Sequence, residues 1–368
     1  VYKRQGHTFD EGDRGIYWSM NGNYRRGEGY IFEPLEYLDD TDVSTFLEEY
    51  GGGARLGYQL GEGHYIDLFA NVYDELRGGG VKVYEDRGSH ETILTRDLRL
   101  NYHVPLNRST LDVKMYHLRE DYNNQKESLN NSGEYSLSDA GTVKRDLGTF
   151  ISLSTALPRN NRLTAGLEAR SGNVAGQELY RTSTDEIYFQ GQLGFLGVFI
   201  QDEFTLPGGK FRLTGGIRTD LARFRNGSQE VRDPSSKTGF PEGFTEEFET
   251  NLWYAVSPKL SLQYRLSPGK SVYLSAGTGF NPPKIEDLVR SGKIRKGFRL
   301  ANPGLLPERL ANIEAGFKGG IAKDLFLSTA LYHSEGNDFH YLAATGDTLE
   351  SGGGSPRPVY RRENISRV

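Results

Sequence analysis

The chain contains no cysteine, which rules out disulfide frameworks, thiolate metal sites and cysteine nucleophiles together. No apolar run approaches the ~18 residues that suggest a membrane-spanning helix, and mean hydropathy is negative. That excludes a helical membrane protein without excluding a membrane protein, because a barrel strand needs only ~9 to 11 residues with alternate positions apolar. A dominant charge sign is lacking as well. With 44 basic and 49 acidic residues the formal net charge is -5, no basic stripe forms, and nucleic acid is not an expected partner. Val1 to Tyr17 has no apolar core of signal-peptide length. The opening Val1-Tyr2-Lys3-Arg4-Gln5 reads as the translated end of a transposon sequencing adapter. Residues 1–5 are therefore expected to be foreign and 6–368 to be a continuous piece of one domain. Raw reads with native coding sequence running on through Gln5 would remove that expectation.

What the chain does have is turns, rings and a rhythm. Gly numbers 46 and aromatics make up 12% of residues. Tight polar turns at Gly61-Glu62-Gly63, Pro105 to Arg108, Pro158 to Asn161, Pro207 to Lys210, Ser267 to Lys270 and Gly320 to Asp324 alternate with long polar stretches. These stretches lie around 26–53, 76–91, 121–143, 172–193, 221–250, 281–307 and 334–357. Short connections at one end of a sheet and long ones at the other are the pattern of an outer-membrane barrel.

Between the turns the residues alternate with period 2. Leu163, Ala165, Leu167 and Ala169 oppose Thr164, Glu168 and Arg170, and Leu213 and Ile217 oppose Arg212, Thr214 and Arg218. Val256, Leu260, Leu262 and Tyr264 oppose Ser257, Lys259, Ser261 and Arg265. Roughly fourteen strands follow, the last one incomplete at Val368. Alternation alone does not separate a barrel, whose charged face lines a wet lumen, from a β-sandwich, whose charged face meets solvent. Loop asymmetry and unbroken hairpins favour the barrel. Asp202 sits on the apolar face with Leu196, Val198, Ile200 and Phe204, where a bulge or a headgroup-level position would be needed.

The residues then resemble a family, the TonB-dependent outer-membrane receptors. The strand Ser257-Pro258-Lys259-Leu260-Ser261-Leu262 is followed by Gly277-Thr278-Gly279-Phe280-Asn281-Pro282-Pro283, then Asn302-Pro303-Gly304-Leu305-Leu306-Pro307-Glu308. Three such motifs in this order are specific, and Val198 to Glu203, Leu213 to Arg218 and Asn364-Ile365 add to them. The resemblance covers 144–368 well and the earlier part as a compatible hairpin pattern. It implies an all-β, antiparallel up-and-down transmembrane β-barrel of about twenty-two strands around an N-terminal plug. Of that barrel the chain is expected to be a part, without plug or aromatic terminal strand. Open edges in lipid leave unpaired backbone groups that cost several kcal/mol each, so the piece alone is expected to aggregate.

By the same resemblance the function is active import of a scarce, bulky nutrient, foremost a ferric siderophore. Its partners would be outer-membrane lipid and the TonB-ExbB-ExbD system, reached through the plug. A passive porin and a carbohydrate-binding surface sandwich stand as alternatives.

No resident cofactor is implied. Ser257, Pro258, Gly277, Phe280, Pro283, Asn302, Pro303, Leu305, Pro307 and Glu308 are read as loop-shaping residues, since Pro fixes φ and Asn-Pro favours a turn. Gly277-Thr278-Gly279 lacks the helix and Lys-Ser/Thr of a phosphate loop. Asp39-Asp40-Thr41-Asp42 with Glu48-Glu49 offers Ca²⁺ oxygens but lacks EF-hand spacing and reads as a solvated acidic loop. The histidines show no metal-ligand pair, and Ser109 and His117 are too far apart on one strand for catalysis, so no enzyme is expected. Ligand contact is assigned to Arg170 and Arg218, as an anion-attracting vestibule, and to Tyr180, Tyr188 and Phe189 as stacking rings. Plug contact and lumen solvation are the favoured account of the two arginines, ahead of the vestibule.

Overall fold

The computed structural model describes residues 2–11 as backbone, and 14–130, 132–294, 296–349 and 356–367. Val1 of the adapter reading lies outside the described residues. The strands are β1 (Tyr2–Glu11), β2 (Arg14–Gly27), β3 (Leu47–Gly61), β4 (His64–Gly78), β5 (His90–Leu106), β6 (Ser109–Leu129) and β7 (Tyr135–Leu157). They continue as β8 (Asn161–Tyr180), β9 (Glu186–Thr205), β10 (Phe211–Arg232), β11 (Thr245–Phe248), β12 (Asn251–Ser267) and β13 (Lys270–Asn281). After the single-turn α1 (Ile285–Val289) come β14 (Gly292–Ile294), β15 (Gly297–Leu300), β16 (Glu308–Ala322), β17 (Leu325–Asn337), β18 (Phe339–Leu349) and β19 (Arg357–Ile365).

One sheet dominates. Its strands succeed each other in chain order from β1 to β10 and then through β12, β13, β16 and β17, with β11 appended to β10. Every neighbouring pair along this path is antiparallel, as hairpin-linked strands must be. The fold is all-β, an antiparallel up-and-down wall, and β1 and β17 are its two edges among the described residues.

The period-2 pattern sets the wall's two faces. Val198, Ile200, Ile217, Val256, Leu260, Leu274 and Ile313 all stand exposed on one side. A soluble sandwich would cover that apolar face with a second packed sheet; here it is the outside of a single wall, as lipid requires. The sandwich alternative is thereby overturned.

The six tight turns join β3 to β4, β5 to β6, β7 to β8, β9 to β10, β12 to β13 and β16 to β17, all at one end of the wall. Gly269 (φ 75°) makes one of them possible, adopting a left-handed conformation open to glycine without a Cβ clash.

At the other end the reading needs correcting. Residues 121–143 and 172–193 are not loops: β6, β7, β8 and β9 continue as tall paired hairpins joined at 130–134 and 181–185. Ladder hydrogen bonds carry the strands past the level of the apolar band, and there the inner face of β9 is covered by the inward loops at Ile187 and Phe189. Residues 334–337 and 339–349 are likewise strand. The last strand is not a truncated wall strand: β18 and β19 pair with each other, and β19 runs parallel to β15 in a second, four-stranded sheet.

Asp202 pairs in unbroken register with Gly215 and Leu163, so no bulge relieves it. It lies three residues before the Thr205 strand end, at the tight-turn rim, where headgroups and water are within reach. Its Oδ2 accepts a long bond from Asn161 Nδ2 (3.5 Å).

Along the lumen face, aromatic rings lie flat over glycines on the adjacent strand. Tyr17 covers Gly57, Tyr116 covers Gly148, Phe199 covers Gly166 and Tyr273 covers Gly316, and a Cβ on any of these glycines would overlap the ring. Here the wall gains side-chain contact where glycine supplies none.

Candidate functional site

The segment between β13 and β16 determines what fills the mouth. Pro258 has no N–H to donate, and the β12–β13 ladder stops beside it, at the Lys259–Gly277 pair. Beyond Gly277, β13 pairs with β16 only. The chain is then free to fold inward, and α1 packs Ile285, Leu288 and Val289 against Phe189, Ala222, Phe224 and Trp253 on the lumen face of the wall.

The motif residues hold this inward loop. Phe280 packs against that cluster, Leu305 is part of it, and Pro283 and Pro307 are buried beside it. Gly277 permits close approach to the Lys259 side chain, and Ser257 is buried on the wall opposite Arg218. Asn302 Nδ2 donates to the Arg362 carbonyl (2.7 Å) while its Oδ1 accepts from Gly304 N–H (3.0 Å). The Pro303 carbonyl accepts from Asn251. Glu308 accepts from the His340 N–H and from Asn281 Nδ2, each at 2.9 Å. Asn364 closes the set, bonding both the N–H and the carbonyl of Leu306.

The five residues assigned to ligand contact do not converge. Arg170 and Arg218 meet over the Phe195 ring, each 5.5 Å from its centre. Arg218 is also bound by Glu168 (2.8 Å) and Asp220 (2.7 Å), so its charge is already matched. Tyr188 and Phe189 are successive strand residues and must face opposite ways. Phe189, 4% exposed, lies in the loop core with the Arg290 guanidinium over its ring. Tyr188 is on the other face, donating to Glu186 (2.9 Å) and stacked under Arg232. Its cavity, of about 510 Å³, is lined by Asn123, Gln177, Gln190 and Arg232. Tyr180 stands at the top of β8, against a second apolar cluster of Ile187, Val231, Phe240 and Phe298. Burial first, then the charges of Glu178 and Asp185, push its hydroxyl up to about 12, so it stays a neutral donor.

Beside Tyr180 is a feature the sequence did not reveal. A cavity of about 710 Å³ opens between the β6–β7 hairpin, the 233–240 loop, the β14–β15 hairpin and the start of β19. Lys126, Lys237, Lys293, Lys296 and Arg357 line it, with Ser128, Ser136 and Ser138 between them. Lys126, Ser138 and Tyr180 are paired across three strands in register with the lumen-facing Tyr116, Gly148 and Arg170, which puts them on the inner face. The Lys237–Glu134 pair, at 3.4 Å, is the sole ion pair of these five cations among the described residues. Burial holds the Lys293 ammonium below the usual lysine range, and repulsion from Arg357, Lys237 and Lys126 adds to it.

Two buried carboxylates fix the loops around this mouth. Glu127 (1% exposed) accepts the N–H groups of Val83, Tyr84 and Glu85, and Tyr135 Oη donates to it at 3.0 Å. Asp185 (0% exposed) accepts from Ser183, from Ser235 N–H (2.8 Å) and from Thr238. Burial raises both carboxyls, but these donors outweigh it and hold them below the ordinary carboxylate range. The solvated acidic loop is found at Asp39, which is exposed and accepts from the N–H and hydroxyl of Thr41, but Glu48 and Glu49 belong to β3, where Glu49 is buried and bound by Arg25 and Tyr73.

The model of the TonB dependent receptor-like β-barrel matches residues 17–368. The chain belongs to that family. Among solved TonB-receptor-like barrels, the ferric yersiniabactin uptake receptor FyuA from Yersinia pestis superposes with a TM-score of 0.68 at 14% identity, covering 92% of this chain and 52% of that one. The copper transporter OprC gives 0.69 at 15%, covering 100% and 57%. The Serratia marcescens hemophore receptor HasR, solved with its hemophore HasA and heme, gives 0.68 at 13%, covering 100% and 58%. The chain therefore spans little more than half the length of these receptors. No curated protein matches the sequence.

Proposed function

We propose that the complete protein is an outer-membrane receptor of a Gram-negative cell that actively imports a scarce, bulky anionic nutrient, a ferric siderophore, on energy delivered through TonB-ExbB-ExbD. The observation that carries this is the inner-face cavity at the mouth, where five cations meet one paired carboxylate. A wall that matches Arg218 with two carboxylates but leaves the mouth basic concentrates negative ligand where it enters. Membership of the TonB-receptor barrel family supports the transport class, and structural neighbours named as a ferric yersiniabactin uptake receptor and as a hemophore receptor bound to its hemophore and heme support an iron ligand.

In iron-limited cells, deleting the gene should abolish uptake of the radiolabelled ferric chelate that the intact strain imports, and the complete gene should restore it. Collapsing the proton gradient should stop uptake. Uptake that survives loss of the gradient would instead favour a passive porin.

A further inference from the structure

The basic cavity also specifies what kind of anion it takes. We infer that it is a binding site for the polyanionic, carboxylate-bearing part of a metal chelate, a hydroxycarboxylate complex rather than a catecholate or neutral hydroxamate one; this rests on the transport reading above.

Three observations converge. The first is charge. Lys126, Lys237, Lys293, Lys296 and Arg357 come from four separate segments and line one space, with Glu134 the single carboxylate bonded to any of them among the described residues. Burial first, and then repulsion from Arg357, Lys237 and Lys126, hold the Lys293 ammonium below the usual lysine range, and a bound polyanion would relieve that repulsion.

The second is the kind of donor present. Ser128, Ser136 and Ser138 add hydroxyls in the same wall, and ammonium, guanidinium and hydroxyl together suit oxygens with exposed lone pairs.

The third concerns aromatic surface. A tris-catecholate presents flat rings and is recognised in part by stacking. The one ring in the lining is Tyr180, and it packs against Ile187, Val231, Phe240 and Phe298. Its neutral hydroxyl acts as another hydrogen-bond donor instead. A neutral trihydroxamate would gain nothing from the charges and would leave them desolvated. At about 710 Å³ the space suits a compact chelate within the usual ~300 to 1,000 Å³ of small-ligand sites.

The test uses the full-length receptor in detergent, with iron(III) citrate, an anionic iron(III) tris-catecholate and a neutral iron(III) trihydroxamate as probes. Equilibrium binding of radiolabelled iron is measured at two ionic strengths. Iron(III) citrate should bind tightest, weaken with salt, and lose at least about tenfold in affinity in the double variant Lys293→Glu/Lys296→Glu, about 1.4 kcal/mol. Lys126→Glu, on a different element, should weaken it in the same direction, with heat-modifiable gel mobility confirming that both variants fold. Tighter binding of the tris-catecholate or trihydroxamate, or citrate binding indifferent to both variants, overturns the ligand class and leaves the receptor reading intact. If none of the three binds and whole cells take up no iron through the protein, both fall.

Discussion

The lower wall and the mouth treat charge in opposite ways. In the wall, Arg218 sits between Glu168 and Asp220, and Arg55 is bound by Asp67. At the mouth, two buried carboxylates are held without cations: Glu127 and Asp185 accept backbone and hydroxyl groups, while the five cations of the basic cavity have Glu134 alone as an ion-pair partner among the described residues. A residue's charge therefore says little about ligand contact until its partners are known. Arg218, which reads from the sequence as part of an anion vestibule, is already neutralised, and the uncompensated charge gathers at the mouth.

The largest effect should come from the loop latch. Glu127→Ala orphans three N–H groups and a tyrosine hydroxyl, with an expected local cost of about 1–3 kcal/mol for each group left buried. Hydrogen exchange in residues 79–89 should rise sharply while the wall stays protected; an unchanged loop would break the contrast. Next, Arg218→Met leaves Glu168 and Asp220 facing each other, at an expected cost of about 1–3 kcal/mol, less than a fully buried pair because these groups are partly exposed. It should lower the melting temperature without weakening chelate binding. Gly148→Ala, which drives a methyl into the Tyr116 ring, should cost about 1–2 kcal/mol by overpacking. Lys293→Met should change stability by no more than ~0.5 kcal/mol yet weaken anion binding, the reverse of Arg218→Met.

pH sharpens the same contrast. Because Glu127 and Asp185 are held below their unfolded values, their stabilisation is complete above about pH 4.3 and is lost as pH falls through the folded values. Loops 79–89 and 233–240 should loosen only in strong acid. Lys293, displaced downward, loses its charge before an ordinary lysine as pH rises, so anion affinity should decline at the alkaline end. Affinity that holds steady there would remove Lys293 from the site.

The wall was legible because period 2 and turn chemistry are local. Leu163 to Arg170 and Leu213 to Arg218 announce their faces, and Ser267 to Lys270 announces its turn. The tall hairpins of β6 to β9 were not, because above the lipid level polar residues such as Asn123, Asn173 and Gln192 interrupt the period, and the apolar Ile187 and Phe189 are covered by loops distant in sequence. Nor did the sequence show the stacking of aromatics on glycines: Tyr116 and Gly148 become neighbours only through register. The basic cavity was hidden for the same reason. Lys126, Lys237, Lys293 and Arg357 are far apart in the chain, and each looks like a solvated surface residue. The three ordered motifs did point to the inward loop, through Pro258, Asn302 and Leu305, although Tyr188 and Phe189 were grouped as one site when adjacent strand positions face apart.

The parallel pairing of β15 with β19 has a mechanical consequence. Phe298, Arg299 and Leu300 are laced to Val359, Tyr360 and Arg361, and β14 is laced to β15 in turn. Lys293 on that hairpin and Arg357 at the head of β19 therefore ride on a single plate. The plate joins the wall at Asp338, a one-residue joint between β17 and β18 with φ 59°, and again through residues 301–307 between β15 and β16. A chelate held between this plate and Lys126 on the fixed β6 would act as a strut, and releasing it inward means tilting the plate as a unit rather than parting one side chain at a time.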